Sequence, residues 1–81
     1  MNVEKRKQNE KKFESWEELQ DGGRRYLLTV LGRSGWKAVY VKEVDKDEKT
    51  VRFYQNIYNE KGKLVEIHKK FSVDYGHKKV K

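Results

Sequence analysis

The chain has 81 residues, of which 35% are apolar and 41% are charged, and its formal net charge is +7. A domain of this size has a thin core, but two Trp, five Tyr and three Phe argue against a wholly disordered chain. The absence of cysteine excludes disulfide bonds and cysteine-containing zinc sites, and no apolar run approaches the ~20 residues of a membrane span.

Residues 1–12 carry five basic and two acidic side chains and almost no apolar residue. This pattern predicts a frayed helix or a flexible basic arm. Because no apolar segment follows the basic start, it is not a secretory signal. We therefore expect a cytoplasmic protein that has no membrane contact.

Residues 13–23, with the sequence FESWEELQDGG, predict a short helix that ends at the glycine pair. Ser15 and Glu18 have the spacing of a capping box, in which each side chain covers the other residue's backbone N–H. The apolar residues recur at every third position: Phe13, Trp16 and Leu19. A helix of about two turns is unstable alone in water, so we expect it to dock on a sheet.

Four segments rich in β-branched and aromatic residues follow, and the turns between them are short enough for hairpins. They are 24–32, 35–44, 50–58 and 63–73. The sequence therefore predicts an α+β fold over residues 13–75, with a short N-terminal helix packed on a four-stranded antiparallel β-meander. An SH3-like small barrel is the alternative, because closure would hide the sheet edges.

The expected core combines the helix stripe with apolar residues from all four strands. It consists of Trp16, Leu19, Leu28, Val30, Val39, Val41, Val51, Phe53, Ile57, Val65, Ile67 and Phe71. Which faces the first two strands bury stays open, because their register is not determined by the pattern.

The segment YNEKGK predicts a three-residue hairpin loop with a bulge, since Asn59 favours the turn and Gly62 favours the left-handed position. In that register Asn59 lies opposite Lys63, and apolar residues gather on one face. The other face pairs Tyr54 with His68 and Arg52 with Lys70. A slip of one residue would mix the two sets, so the apolar clustering supports this register.

An aromatic ring among cations on an open sheet face is typical of several RNA-binding modules, in which the ring stacks on a base and the cations hold phosphates. The candidate residues are Arg52, Tyr54, Tyr58, His68 and Lys70, with Lys78 and Lys79 of the basic tail at 76–81. The leading hypothesis is a small non-enzymatic nucleic-acid-binding module, with RNA as the preferred partner. A solvated surface rich in lysine and glutamate is the plainer explanation of the charge.

Two other functions stay open. The first is a protein-interaction module, in which an acidic partner protein adds a strand to an exposed sheet edge. The second is a small, toxin-like, metal-independent ribonuclease, with His68 and His77 as acid and base beside Tyr54. This site requires Gly76 to turn the tail back. No ligand spacing typical of zinc or calcium occurs, so we expect no metal and no cofactor.

Overall fold

The computed structural model describes residues 2–72, in which one helix packs against a five-stranded antiparallel sheet. The helix α1 is Val3–Lys12. The strands are β1 (Ser15–Glu18), β2 (Arg24–Leu31), β3 (Lys37–Val44), β4 (Thr50–Tyr58) and β5 (Leu64–Ser72). Each strand pairs with the next in chain order. The α+β class is confirmed, with one strand more than predicted. The sheet is open, with β1 and β5 at its edges, and differs from the barrel alternative.

The helix that packs on the sheet is Val3–Lys12, in the segment for which the sequence predicts a frayed helix or a flexible arm. Asn2 caps it, since its side chain accepts a hydrogen bond from the Lys5 backbone N–H at 3.0 Å. Phe13 ends it in an extended conformation. The prediction of a helix over residues 13–23 was wrong, because this segment forms β1 and the turn that follows.

Strand β1 forms because its side chains match those of β2. The rings of Trp16 and Tyr26 lie opposite each other, with centroids 5.8 Å apart. Glu18 lies opposite Arg24 and binds its guanidinium at 2.8 Å. These contacts join residues distant in sequence, so they outweigh the local capping-box pattern without being visible in it.

Three hairpins use the same three-residue loop. With one flanking residue on either side, the loops are the five-residue segments 19–23, 45–49 and 59–63. In each segment the N–H of the first residue donates to the carbonyl of the fifth, and the N–H of the fourth donates to the carbonyl of the first. The fourth residue has a positive φ: Gly22 at 89°, Glu48 at 68° and Gly62 at 79°. The predicted loop at 59–63 is confirmed. Glycine adopts this conformation without strain, whereas for glutamate it costs about 1 kcal/mol.

The predicted register of β4 and β5 holds only next to the turn. Tyr58 lies opposite Leu64 as predicted, but Ile57 lies opposite Glu66, which makes Val65 an extra residue in a bulge. A second shift further along makes Lys70 extra as well.

The bulges change which side chains meet across the two strands. Tyr54 pairs with Lys69, and His68 pairs with Gln55. The predicted Tyr54–His68 pair was therefore wrong, and so was the Arg52–Lys70 pair, because Arg52 lies opposite Ser72. A bulge is a local backbone feature that hydrophobic clustering does not reveal.

Alternation along the strands divides the sheet into two faces. The helix face lies against α1 and carries Trp16, Tyr26, Leu28, Tyr40, Val44, Phe53, His68 and Phe71. The opposite side, here called the open face, carries Leu27, Val39, Val41, Arg52, Tyr54, Asn56, Tyr58, Leu64, Ile67 and Lys69. Helix α1 packs on the other face, so the side chains of the open face that are not buried are available to a ligand.

The core is small and lies between α1 and the sheet. Phe13, Tyr26 and Val44 are buried together, and the rings of the first two have centroids 5.5 Å apart. Of the predicted core, only Val41 is buried, and it lies on the open face. The predicted core residues Trp16, Val30, Val65, Ile67 and Phe71 are between 38% and 59% exposed. The other predicted residues are half-buried.

We expect Gly23→Ala to lower the free energy of unfolding by about 2 kcal/mol or more. A β-carbon at position 23 would lie 2.2 Å from the carbonyl oxygen of Val44, so backbone would have to move. Gly32→Ala is the control, since its nearest neighbouring atom would be 3.4 Å away. Urea denaturation measures both, and equal stability of the two variants would contradict the close approach.

Candidate functional site

A buried polar cluster on the helix face joins α1 to the sheet, with Glu48 at its centre. The Glu48 carboxylate accepts hydrogen bonds from the Tyr26 hydroxyl, from Asn9 Nδ2 at 3.1 Å and from Arg6 Nε at 3.0 Å. Its side chain is fully shielded from solvent. A buried carboxylate is stable only when donors replace its water, and these three donors come from two different elements.

Asn9 extends the cluster to β3. Its Oδ1 accepts a hydrogen bond from Lys42 Nζ at 2.9 Å, so both halves of the carboxamide are used. Burial lowers the pKa of Lys42, and the charge of Lys12 lowers it further. Asn9 thus links a buried anion to a partly buried cation.

Arg24 forms a second cluster beside the first. Its guanidinium binds the carboxylates of Glu10 at 2.7 Å and Glu18 at 2.8 Å, and it lies 5.2 Å from the centroid of the Trp16 ring. Burial lowers the pKa of Arg24, but these carboxylates outweigh burial, and the pKa lies above its ordinary value. The Arg24 guanidinium joins β2 to α1 through Glu10 and to β1 through Glu18, so this cluster, like the first, holds the fold together.

The pKa shifts in the Glu48 cluster show what stabilises it. Burial raises the pKa of Glu48, but the hydrogen bonds from Tyr26, Asn9 and Arg6 together outweigh it and bring the pKa below its ordinary value. Burial, followed by the bond to Glu48, raises the pKa of Tyr26. The cluster therefore favours an ionised Glu48 and a neutral Tyr26.

Sequence reasoning missed this cluster, although one signal was present. In the three matching loops, glycine holds the left-handed position twice and glutamate once. A glutamate in a conformation that favours glycine indicates that its side chain has a specific partner.

The open face holds a pocket of about 360 Å³ between β4 and β5. It is lined by Arg52, Tyr54, Asn56, Leu64, Ile67 and Lys69. The pocket combines one aromatic ring, two cations, one carboxamide and an apolar wall. Its volume falls within the ~300–1,000 Å³ that is common for small-ligand sites.

The charges around the pocket are only partly balanced. Glu43 Oε1 accepts a hydrogen bond from Arg52 at 3.2 Å, while Glu43 Oε2 binds Arg25 at 2.9 Å. One carboxylate is thus shared by two arginines. Lys69 makes no ion pair with any carboxylate of residues 2–72. Lys37 Nζ lies 5.5 Å from the centroid of the Tyr58 ring. The surroundings of the pocket are net positive.

Asn56 is the unusual residue of the pocket. Its Oδ1 is buried and has no hydrogen-bond partner among the described residues. Its neighbours across the strands are Val39 and Ile67, whose side chains cannot donate a hydrogen bond. The carboxamide thus lies between apolar side chains, with its acceptor unused.

The predicted site residues divide into three groups. Arg52, Tyr54 and Tyr58 share the open face. His68 projects from the helix face, where its ring nitrogen lies 2.8 Å from Glu66, and Lys70 lies in a bulge. His77, Lys78, Lys79 and the proposed turn at Gly76 lie outside the described residues.

The register bears directly on the ribonuclease hypothesis. Tyr54 and His68 project from opposite faces, so they cannot contact the same substrate group. Their joint role in catalysis therefore has no geometric support, whereas the pairing of His68 with His77 stays a prediction.

Within residues 2–72, no group of three or more His, Asp or Glu side chains is arranged to hold a metal ion. The helices in that range are α1, with ten residues, and a 3-10 helix of three residues at Arg33–Gly35, and neither is long and apolar enough to span a membrane.

Comparisons with protein-family models, curated sequences and solved structures found no significant match. The function is therefore inferred from the chemistry of the two faces.

We expect Glu48→Gln to lower the free energy of unfolding by about 3 kcal/mol, because it leaves Arg6 without its buried counter-charge. Glu60→Gln is the matched control, since Glu60 lies at an exposed position in the equivalent loop of the β4–β5 hairpin. Urea denaturation of both variants measures the difference. A Glu48→Gln loss no larger than that of the control would show that the carboxylate does not hold the helix.

We expect stability to fall in acid because of Glu48. The folded-state pKa lies below the ordinary 4.5, so the stabilisation is complete above that pH and is lost as the pH falls through the lower folded value. Between pH 5 and 2, the Glu48→Gln variant should therefore show a shallower loss than the natural protein. Parallel curves would contradict this. Asp45, whose pKa is lowered by backbone hydrogen bonds, contributes to both proteins alike.

Proposed function

We propose that the protein is a non-enzymatic nucleic-acid-binding module that holds single-stranded RNA on its open face. The observation that carries this proposal is the pocket in which Tyr54 lies with two cations, Arg52 and Lys69. This is the combination of ring and positive charge that single-strand binding requires. The formal net charge of +7 favours a polyanionic partner.

The tyrosines supply the stacking surface. Tyr54 and Tyr58 lie on the same face of β4, four positions apart, which corresponds to about 13 Å along a strand. Each ring can stack one base, and such a contact contributes about 1–3 kcal/mol per base. Two rings at this spacing favour an extended strand of RNA over a single nucleotide.

The cations supply the phosphate contacts. Lys69 and Arg52 line the pocket, and Lys37 reaches over the ring of Tyr58. Lys37 and Lys69 have no ion pair with a described carboxylate, so they can bind phosphate without first breaking one. Arg52 must break its ion pair with Glu43 to bind a phosphate, so its net contribution to affinity is smaller than that of either lysine.

Stacking on tyrosine favours a single strand over a duplex. The bases of a duplex already stack on each other and their faces are not accessible, whereas unpaired bases can turn onto a protein ring. The open face also carries apolar side chains such as Leu64 and Ile67, which suit base faces better than a phosphate backbone.

The edge-pairing alternative has less support. Edge strand β5 contains two bulged residues, Val65 and Lys70, and a second lysine, Lys69. Edge strand β1 has only four residues, and its Glu17 and Glu18 are held by arginines of β2. Bulges, lysines and short length are the features by which natural sheets prevent the addition of a further strand.

We expect a labelled mixed-sequence RNA of twelve nucleotides to bind at low salt. Three phosphate contacts should give a slope of about −2 in a plot of log K against log salt concentration, at ~0.7 for each contact. Tyr54→Ala should weaken binding about tenfold, because it removes one stacked base. Fluorescence anisotropy measures both effects.

His68→Ala is the matched control, because His68 is an exposed ring on the opposite face of the neighbouring strand. We expect it to bind RNA like the natural protein. Absence of RNA binding at low salt would overturn the proposal. Equal losses in Tyr54→Ala and His68→Ala would show that the open face is not the interface.

A further inference from the structure

Asn56, which lines the pocket, can accept a hydrogen bond that no described residue donates. Its Oδ1 is buried and unpaired, and Val39 and Ile67 flank it on the two neighbouring strands. A buried acceptor without a donor is unfavourable, and natural proteins leave few of them. A hydrogen-bond donor on a ligand would therefore stabilise this group.

The side chain can turn towards a ligand. Asn56 is half-buried as a whole and lines the pocket, so it is not enclosed on all sides. The torsion that orients an asparagine carboxamide is soft, with a broad range of accessible angles. A small rotation brings the unpaired Oδ1 to the pocket, beside the ring of Tyr54 on the same face.

We infer that Asn56 selects the base that stacks on Tyr54, and that it favours bases whose Watson–Crick edge carries an exocyclic amino group next to an unprotonated ring nitrogen. Among RNA bases these are adenine and cytosine. Oδ1 accepts a hydrogen bond from the amino group, and Nδ2 donates one to the ring nitrogen. A carboxamide pairs in the same bidentate way with the amino group and adjacent nitrogen of adenine in DNA recognition.

Uracil fits this site less well for an electrostatic reason. A carboxamide can also pair with the ring N–H of uracil and one of the carbonyl oxygens beside it, but the second carbonyl oxygen then lies next to Oδ1 and repels it. With cytosine, the carbonyl oxygen lies next to Nδ2, which is a donor, so the same contact is attractive.

This inference rests on the proposed RNA binding, since it names the base that the open face prefers. Cytosine and uracil are the decisive pair of probes. Both are pyrimidines of nearly equal size, and they differ in the donor and acceptor pattern that Asn56 would read. Differences in affinity between them therefore report on hydrogen bonding more than on stacking or charge.

The experiment compares the affinities of labelled oligo(A), oligo(C) and oligo(U), each of twelve nucleotides, at one low salt concentration and pH 7.5. The natural protein should bind oligo(C) and oligo(A) about tenfold more tightly than oligo(U), the discrimination expected of one bidentate pair. Asn56→Leu keeps a similar volume and removes both hydrogen-bonding groups, so it should bind all three within about twofold of one another. Its affinity for oligo(U) should match that of the natural protein.

The outcomes distinguish a failure of the proposed base selectivity from a failure of the proposed RNA binding. No binding of any oligomer by the natural protein would overturn the proposed function and the inference with it. Equal binding of oligo(C) and oligo(U) would overturn the inference alone. A preference for oligo(C) that persists in Asn56→Leu would also overturn it, because the selectivity would then lie in another residue. Urea denaturation of Asn56→Leu checks the fold, and we expect no loss of stability because Oδ1 has no partner to lose.

Discussion

The attachment of α1 to the sheet depends on one buried carboxylate. Glu48 adopts a turn conformation that favours glycine, and it does so because its side chain binds Arg6, Asn9 and Tyr26 together. A helix of ten residues has little stability alone in water, and the one buried residue of α1 is the polar Asn9. Its position therefore depends on directional hydrogen bonds, with Phe13 adding apolar contact just beyond the helix end. The hydrogen bonds of the Glu48 carboxylate to Arg6, Asn9 and Tyr26 offset the backbone strain at Glu48.

This arrangement determines which surface is free for function. Within residues 2–72 the single α-helix packs on one face of the five-stranded sheet, against β2. The other face exposes Leu64 and Ile67, at 43% and 59%, beside tyrosines and cations. Apolar side chains that gather on a solvated surface among polar ones indicate a binding surface. The helix face buries the ion pairs of Glu48 and Arg24, whereas the open face exposes Lys37 and Lys69, which have no described acidic partner, so the two faces carry different chemistry.

The sequence predicted strands better than it predicted the helix, for a physical reason. Strands β2 to β5 alternate β-branched and aromatic residues, and this pattern survives any change in their partners. Helix α1 buries Asn9 and pairs Arg6, so it has no apolar stripe for a periodicity to reveal. Phe13 and Trp16 do pack on the sheet, both against the ring of Tyr26, but they belong to an extended segment whose partners on β2 are distant in sequence. Burial by polar contacts is therefore the feature that pattern reasoning missed.

The positions of the candidate site residues were predictable within one strand. The prediction failed where it required the register between two strands. Arg52, Tyr54 and Tyr58 share a face because alternate residues of β4 always do. Placing His68 beside them required the register of β5, which the bulge at Val65 shifts by one position. The same shift brings Ile67 and Lys69 onto the open face. Because of the bulge, the open face carries the apolar Ile67 and the cation of Lys69 in place of the His68 imidazole. That exchange favours recognition of a base and its phosphate over acid–base chemistry.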